Sequence, residues 1–162
     1  MLVGDGDSRA ALEAEAAELG IADHVLFTGF IPDEDLLRYL STADICLDPN
    51  PSSPLNDVST WIKVMEYMAL GKPMVSFDLK ETRTSAERAA LYVAPNNEAD
   101  FAKAIVRLMD DPDERRRMGE FGKARVKSDL GWQVTSQNLV KAYTRLFQAT
   151  PGRGMGRADA AL

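Results

Sequence analysis

An α/β fold on a doubly wound, mostly parallel, Rossmann-like sheet is what this sequence predicts, and three observations carry the prediction. Short apolar runs alternate with helix-like stretches along most of the chain, the pattern of β-α units. Glycine and proline punctuate the junctions between them, at Gly4, Gly20, Gly29, Pro32, Gly71 and Pro73. The composition, 45% hydrophobic and 27% charged over 162 residues, is that of one ordinary globular domain large enough to bury a core. Right-handed crossovers then make the doubly wound arrangement the natural one.

Taken in order, Met1–Gly4 is an apolar run closing on Gly4-Asp5-Gly6. Asp7 or Ser8 caps a helix expected over Arg9–Leu19, and Gly20 stands where a helix-ending glycine belongs. Val25–Gly29 is a second strand. Pro32 opens a helix over Asp33–Ala43, with acidic residues in the first turn where the helix dipole favours them. Asp44–Pro49 is a third strand, followed by the proline-bearing loop Asn50–Asp57. A helix is expected over Ser59–Leu70, strands over Pro73–Asp78 and Ala90–Ala94, and helices over Glu98–Asp110, Pro112–Lys127 and Gly131–Gln148. The domain is thus placed at 1–148, with a disordered tail at 149–162 that is rich in glycine and small residues. Ligands of such folds lie beyond the carboxyl ends of the strands, which directs attention to Gly4–Asp7, Gly29–Pro32, Asp48–Ser59 and Asp78–Arg83.

Composition also excludes. A net charge of -6 argues against a general nucleic-acid binder, which needs a basic surface, but leaves room for a small phosphate ligand. The single cysteine, Cys46, forms no internal disulfide, and no metal-ligand pattern is present. The reducing cytoplasm fits. No apolar run approaches the ~20 residues of a membrane helix, and no signal peptide is read at Met1, where a strand opens at once as if in mid-domain.

The segment Asn56–Pro73 is the most informative. From Trp61 to Leu70 it is apolar almost all round, as buried helices are, yet it carries Lys63 and Glu66 three residues apart on one face. Ionised groups are rarely buried alone, so either they pair with each other or they face a polar ligand. Ser59 and Thr60 would place hydroxyls beside the unpaired amides of a helix start, a setting for a diphosphate. Glu66 would then lie roughly 10 Å further along the axis, within reach of a ribose diol, whose two hydroxyls suit a carboxylate's two oxygens.

The ordered set Val3-Gly4-Asp5-Gly6, Val25-x-Phe27-x-Gly29-Phe30-x-Pro32, Ala43-Asp44 and Met65-Glu66-Tyr67-Met68-Ala69-x-Gly71-Lys72-Pro73 resembles the C-terminal domain of glycosyltransferase family four, over roughly Leu2 to Gln148. The resemblance implies the donor-binding half of a two-domain GT-B enzyme. Such an enzyme transfers a sugar with retention from a UDP- or GDP-linked donor, with no metal or other cofactor. It also implies that Glu66 grips the ribose, that the helix start around Ser59 and Thr60 holds the diphosphate through backbone amides, and that Phe30 and Ile31 flank the base, with Lys63 a further candidate in the donor site. The first Glu of the family's Glu-x7-Glu motif would fall at Val58, so Asp57 is the candidate for the donor-sugar hydroxyls and for the catalytic role. By the same comparison the first strand of the domain and the N-terminal partner domain, with the acceptor site, are expected to be missing. The acceptor, a sugar or a lipid-linked sugar, would reach the site through that domain, and the chain alone would be inactive.

Other readings stand beside these. Lys63 and Glu66 can form an intrahelical ion pair worth a few tenths of a kcal/mol. Ser59, Thr60 or Asp57 can be plain helix caps, and Phe30 can be partly core. His24 and Cys46 read as structural. The basic residues Arg115, Arg116, Arg117, Lys123, Arg125 and Lys127 suit either a solvated helix face or a contact with anionic lipid at the inner membrane face. A degenerate Rossmann-like module that binds nothing, half of a sugar-nucleotide epimerase and a phosphate-relay receiver with Asp44 and Asp48 are the alternative functions.

Overall fold

In the computed structural model, which describes residues 1–149, three strands pair in parallel in the order β1 (Cys46–Asp48), β2 (Met74–Phe77), β3 (Ala90–Val93). Cys46 stands opposite Met74, and Met74 opposite Ala90. Every residue of β2 is buried, as a central strand covered on both faces requires. Seven helices accompany the sheet: α1 (Arg9–Glu18), α2 (Asp33–Thr42), α3 (Ile62–Ala69), α4 (Lys80–Ala86), α5 (Glu98–Asp110), α6 (Pro112–Arg125) and α7 (Trp132–Ala149).

The alternation of side chains along β2 divides the core in two. Met74 joins Val64, Met68, Ala86 and Ala89 under α3 and α6. Val75 and Phe77 join Phe101, Leu108 and Met118 under α5, where the Phe77 and Phe101 rings meet at 4.9 Å. Helices thus cover both faces, and the α/β class expected from the sequence is the one observed.

Local chemistry explains most boundaries. Asn97 accepts a hydrogen bond from the Asp100 amide to start α5, and Asp111 accepts one from the Glu114 amide to start α6, where Pro112 fills the first turn. Gly20, at φ +69, closes α1 in the left-handed conformation that glycine tolerates. α3 ends at Gly71, also at φ +69, and there α6 comes in backbone to backbone. A methyl group on Gly119 would lie 2.0 Å from the Gly71 carbonyl oxygen, and one on Gly122 would lie 3.2 Å from the Met68 side chain.

Four expectations are corrected. The runs Met1–Gly4 and Val25–Gly29 are not ladder strands. They touch only through isolated bridges, Leu2 with Phe27 and Gly4 with Gly29, because both glycines, at φ +115 and +67, turn the chain out of the extended conformation. α3 begins at Ile62 rather than Ser59. A 3-10 turn, Asn56–Val58, comes first, and Ser59 and Trp61 are extended. Helix α4 was not expected, since Lys-Glu-Thr-Arg-Thr-Ser-Ala has no apolar stripe; it is held by the burial of Thr82, Ser85 and Ala86. A π-helical turn, Val126–Leu130, separates α6 from α7. Of the tail expected over 149–162, Ala149 ends α7 and the rest lies outside the described residues.

Candidate functional site

A cleft of about 690 Å³ opens beside β1, the edge strand of the sheet. Ile45, Cys46 and Leu47 form its floor. Leu36, Tyr39 and Leu40 of α2 close one side, and Lys63, Glu66 and Tyr67 of α3 form another. Met1, Val3, Gly4, Phe30 and Ile31 face them from the bridged N-terminal runs. Four of the residues singled out from the sequence, Phe30, Ile31, Lys63 and Glu66, therefore share one cavity. Phe30 is 85% exposed, so its ring is a free surface and not part of the core.

The two charges on α3 are not partners. Lys63 Nζ lies 2.9 Å from Asp48 Oδ1 and 5.5 Å from the centre of the Trp61 ring. Glu66, half-buried, has no hydrogen bond or ion pair to its carboxylate among the described residues. An unpartnered, partly shielded carboxylate on a cleft wall is an acceptor waiting for donors. Tyr67 beside it donates to the Leu47 carbonyl at 3.4 Å; burial first, then the nearby Cys46, Asp48 and Glu66, pushes its phenol far above the usual range, so it remains a donor.

Asp48 is the partner of Lys63 that sequence reasoning did not find. It is fully buried, and its two oxygens are shared out in pairs. Oδ2 accepts from the hydroxyls of Ser76 at 3.1 Å and Thr82 at 3.4 Å, while Oδ1 takes the Asn50 amide and the Lys63 ammonium. The available signal was an acid inside an apolar strand, which demands a buried partner.

Asp57, Ser59 and Thr60 do not line the cleft. Asp57 Oδ1 accepts from the Lys80 amide at 2.8 Å, capping α4 from across the fold. The Ser59 hydroxyl donates to the Leu55 carbonyl at 2.6 Å, which holds the 3-10 turn and delays α3. The Thr60 hydroxyl donates to Glu81 at 3.2 Å. The free amides of the helix start accordingly belong to Ile62 and Lys63, with Glu66 about 6 Å further along the axis at ~1.5 Å per residue.

In the basic segment, Arg125 donates to the carbonyls of Ser85 and Thr84 and pairs with Glu87 and Asp129. Arg115 donates to Leu108 and Met109, and Arg116 pairs with Asp113. Arg115 and Arg125 thus tie helices together, while Arg116 makes an exposed ion pair within its own helix. Among the described residues no group of three or more His, Cys, Asp or Glu side chains is placed to hold a metal, and no helix is long and apolar enough to cross a membrane.

The model of one family, glycosyl transferases group 1, matches residues 1–111. The chain is 30% identical over 114 residues to a 2-deoxystreptamine glucosyltransferase of Streptomyces kanamyceticus, covering 69% of this chain and 28% of that protein. It is 31% identical over 144 residues to a D-inositol 3-phosphate glycosyltransferase of Thermomonospora curvata, covering 87% and 32%. Among solved structures, a sucrose-phosphate synthase of Thermosynechococcus elongatus matches with a TM-score of 0.80 at 28% identity, over 92% of this chain and 38% of that one. HepE of Anabaena, solved in complex with UDP, shares the fold at a TM-score of 0.73 and 19% identity, over 89% and 40%. The chain spans about a third of the length of the curated relatives it matches.

Proposed function

We infer the chemistry of the cleft from one premise: the chain belongs to the glycosyl transferases of group 1. On that premise the cleft receives the nucleoside diphosphate of a sugar donor, UDP- or GDP-linked. The observation that carries the reading is the unpartnered carboxylate of Glu66 in one cavity with Lys63, Phe30 and Ile31. Glu66 accepts the two ribose hydroxyls. The Lys63 ammonium and the first amides of α3 meet the pyrophosphate, and the free ring of Phe30, with Ile31, flanks the base. The UDP bound by HepE, a protein of the same fold, supports this class of ligand.

Ser59 and Thr60 contribute by setting where α3 begins. Asp57 caps α4 outside the cleft, and its part in the chemistry rests on Oδ2 meeting a hydroxyl of the donor sugar where the sugar extends past the pyrophosphate. In the longer protein that the relatives describe, a partner domain brings the sugar or lipid-linked acceptor. There the ammonium and the helix-start amides hold charge on the departing diphosphate as the glycosidic bond breaks, with retention of configuration. This needs no cofactor besides the donor. The cytoplasm, at the inner membrane face where lipid-linked acceptors lie, is the compartment that suits it. The domain limits belong to the same reading: 1–148 is the nucleotide-sugar-binding unit.

The test is calorimetric titration of the chain with UDP and GDP. Weak binding of one of them is expected, and Glu66→Ala weakens it about ten- to a hundredfold, as the loss of charged hydrogen bonds does. The isolated chain transfers no sugar. Silence with both nucleotides would leave the degenerate-module reading in its place.

A further inference from the structure

Lys63 meets the pyrophosphate only if something holds its ammonium on the cleft wall. A lysine ammonium is a compact charge on a long flexible stem, and by itself it samples many rotamers. Here it is fixed from two sides, by Asp48 Oδ1 at 2.9 Å and by the Trp61 ring at 5.5 Å. Asp48 is itself immobilised. It sits at the end of β1 with no exposed surface, and its other oxygen is tied to Ser76 on the neighbouring strand and to Thr82 on α4. Asn50 donates to the same oxygen that meets Lys63, leaving that oxygen little freedom to turn.

Charge requires the arrangement. A fully buried carboxylate without a cation is strongly disfavoured, so Asp48 demands Lys63. Lys63 is one-third exposed and lines the cleft one helical turn from Glu66. An ammonium has three donors, and the single contact with Asp48 leaves two for a ligand.

From this geometry, and resting on the reading of the cleft as a nucleoside diphosphate site, we propose that Asp48 is its positioning residue. The Asp48 carboxylate, locked into the sheet, sets the Lys63 ammonium on the cleft wall where it meets the pyrophosphate, so the phosphate contact is organised before the ligand arrives. Asp48 touches no substrate and acts only through Lys63.

A double-mutant cycle tests this on the whole chain, with UDP and GDP as ligands. Asp48→Asn weakens binding about tenfold, whereas the same change in a Lys63→Met background costs less than about twofold, because the group it acts through is gone. Equal weakening in both backgrounds, or unchanged affinity in Asp48→Asn, overturns the inference. Asn50→Ala is the milder variant should Asp48→Asn not fold. It weakens binding about threefold, again only when Lys63 is present; no effect there overturns the proposal as well. A purely structural Asp48 would lower the melting temperature while leaving nucleotide affinity as it was. Failure of the underlying reading has its own signature, a wild-type chain that binds neither nucleotide, and that result removes both proposals. Binding that Glu66→Ala weakens but Lys63→Met does not removes only this one.

Discussion

Two of the walls of the cleft, α3 and the N-terminal runs facing it, are built differently. The α3 wall backs onto the core: Val64 is 1% exposed, Met68 is fully buried, and the helix ends against α6 with Gly71 and Gly119 in backbone contact. The opposite wall hangs on three backbone hydrogen bonds, Leu2 to Leu26, Thr28 to Leu2 and Gly4 to Gly29, of 2.8, 3.1 and 3.0 Å. Its apolar residues Leu2, Val3 and Leu26 remain largely exposed. The charged groups, whose chemistry depends on fixed geometry, sit on the braced wall. The wall that offers ring and aliphatic contact is loosely tied, which places it at the low end of local stability. An induced adjustment to a ligand therefore belongs to the Phe30 side, and the carboxylate and ammonium stay where the sheet puts them.

Glycine substitutions, one behind the α3 wall and one in the wall facing it, break or sharpen that contrast. Gly119→Ala puts a methyl group into the Gly71 carbonyl. The helix propensity gained, about 1 kcal/mol, is outweighed, and a net loss of about 3 kcal/mol in global stability is expected from denaturant unfolding, with nucleotide binding impaired in parallel. Gly29→Ala forces φ +67 on a residue with a side chain and meets Arg9 Nη1 at 2.9 Å, the movable end of a flexible side chain. Its cost is about 1–2 kcal/mol, felt locally. Hydrogen exchange at the Leu2 and Gly4 amides accelerates while the global unfolding midpoint shifts little. A midpoint moved as far as by Gly119→Ala would erase the distinction between the walls.

A further expected effect is one of pH, and it too resides in the braced half. Burial pushes the Cys46 thiol up from 9.0 to about 11, with Lys72 opposing. An acid that ionises later when folded keeps its proton while the unfolded chain releases its own. The stability tied to it is therefore complete below pH 9.0 and is lost as pH rises towards about 11. Unfolding measured across that interval should show the decline, and Cys46→Ala should reduce it.

Most of the fold was legible because its signals are local. Pro32 announces the start of α2 and Gly20 the end of α1, and the apolar runs of β1 to β3 announce a buried parallel sheet. The N-terminal runs carried the same apolar signal. Whether such a run forms a ladder depends on what lies beside it and on the turn at Gly4 and Gly29, and neither is a property of the run. α4 was invisible because its burial uses Thr82, Ser85 and Ala86, small side chains with no hydrophobic period. In the site, Lys63 and Glu66 stood out as charges on an apolar helix. The partner of Lys63 did not, because Asp48 lies in a different element and meets it only through packing. The start of α3 was misplaced for a related reason. A serine reads as a cap, but Ser59 directs its hydroxyl backwards to Leu55 and serves the turn before the helix.

The setting of Trp61 has an optical consequence. Its indole nitrogen is shielded and has no hydrogen-bond partner among the described residues, and the Lys63 charge rests over its ring, whereas the second tryptophan, Trp132, is 67% exposed. Indole emission shifts to longer wavelength with polar surroundings, so the two fluorophores separate spectrally, the blue component coming from the ring beside Lys63. Because a cation near an excited indole alters both its energy and its quenching, any ligand that draws the ammonium away from the ring reports itself in that blue component without an added dye.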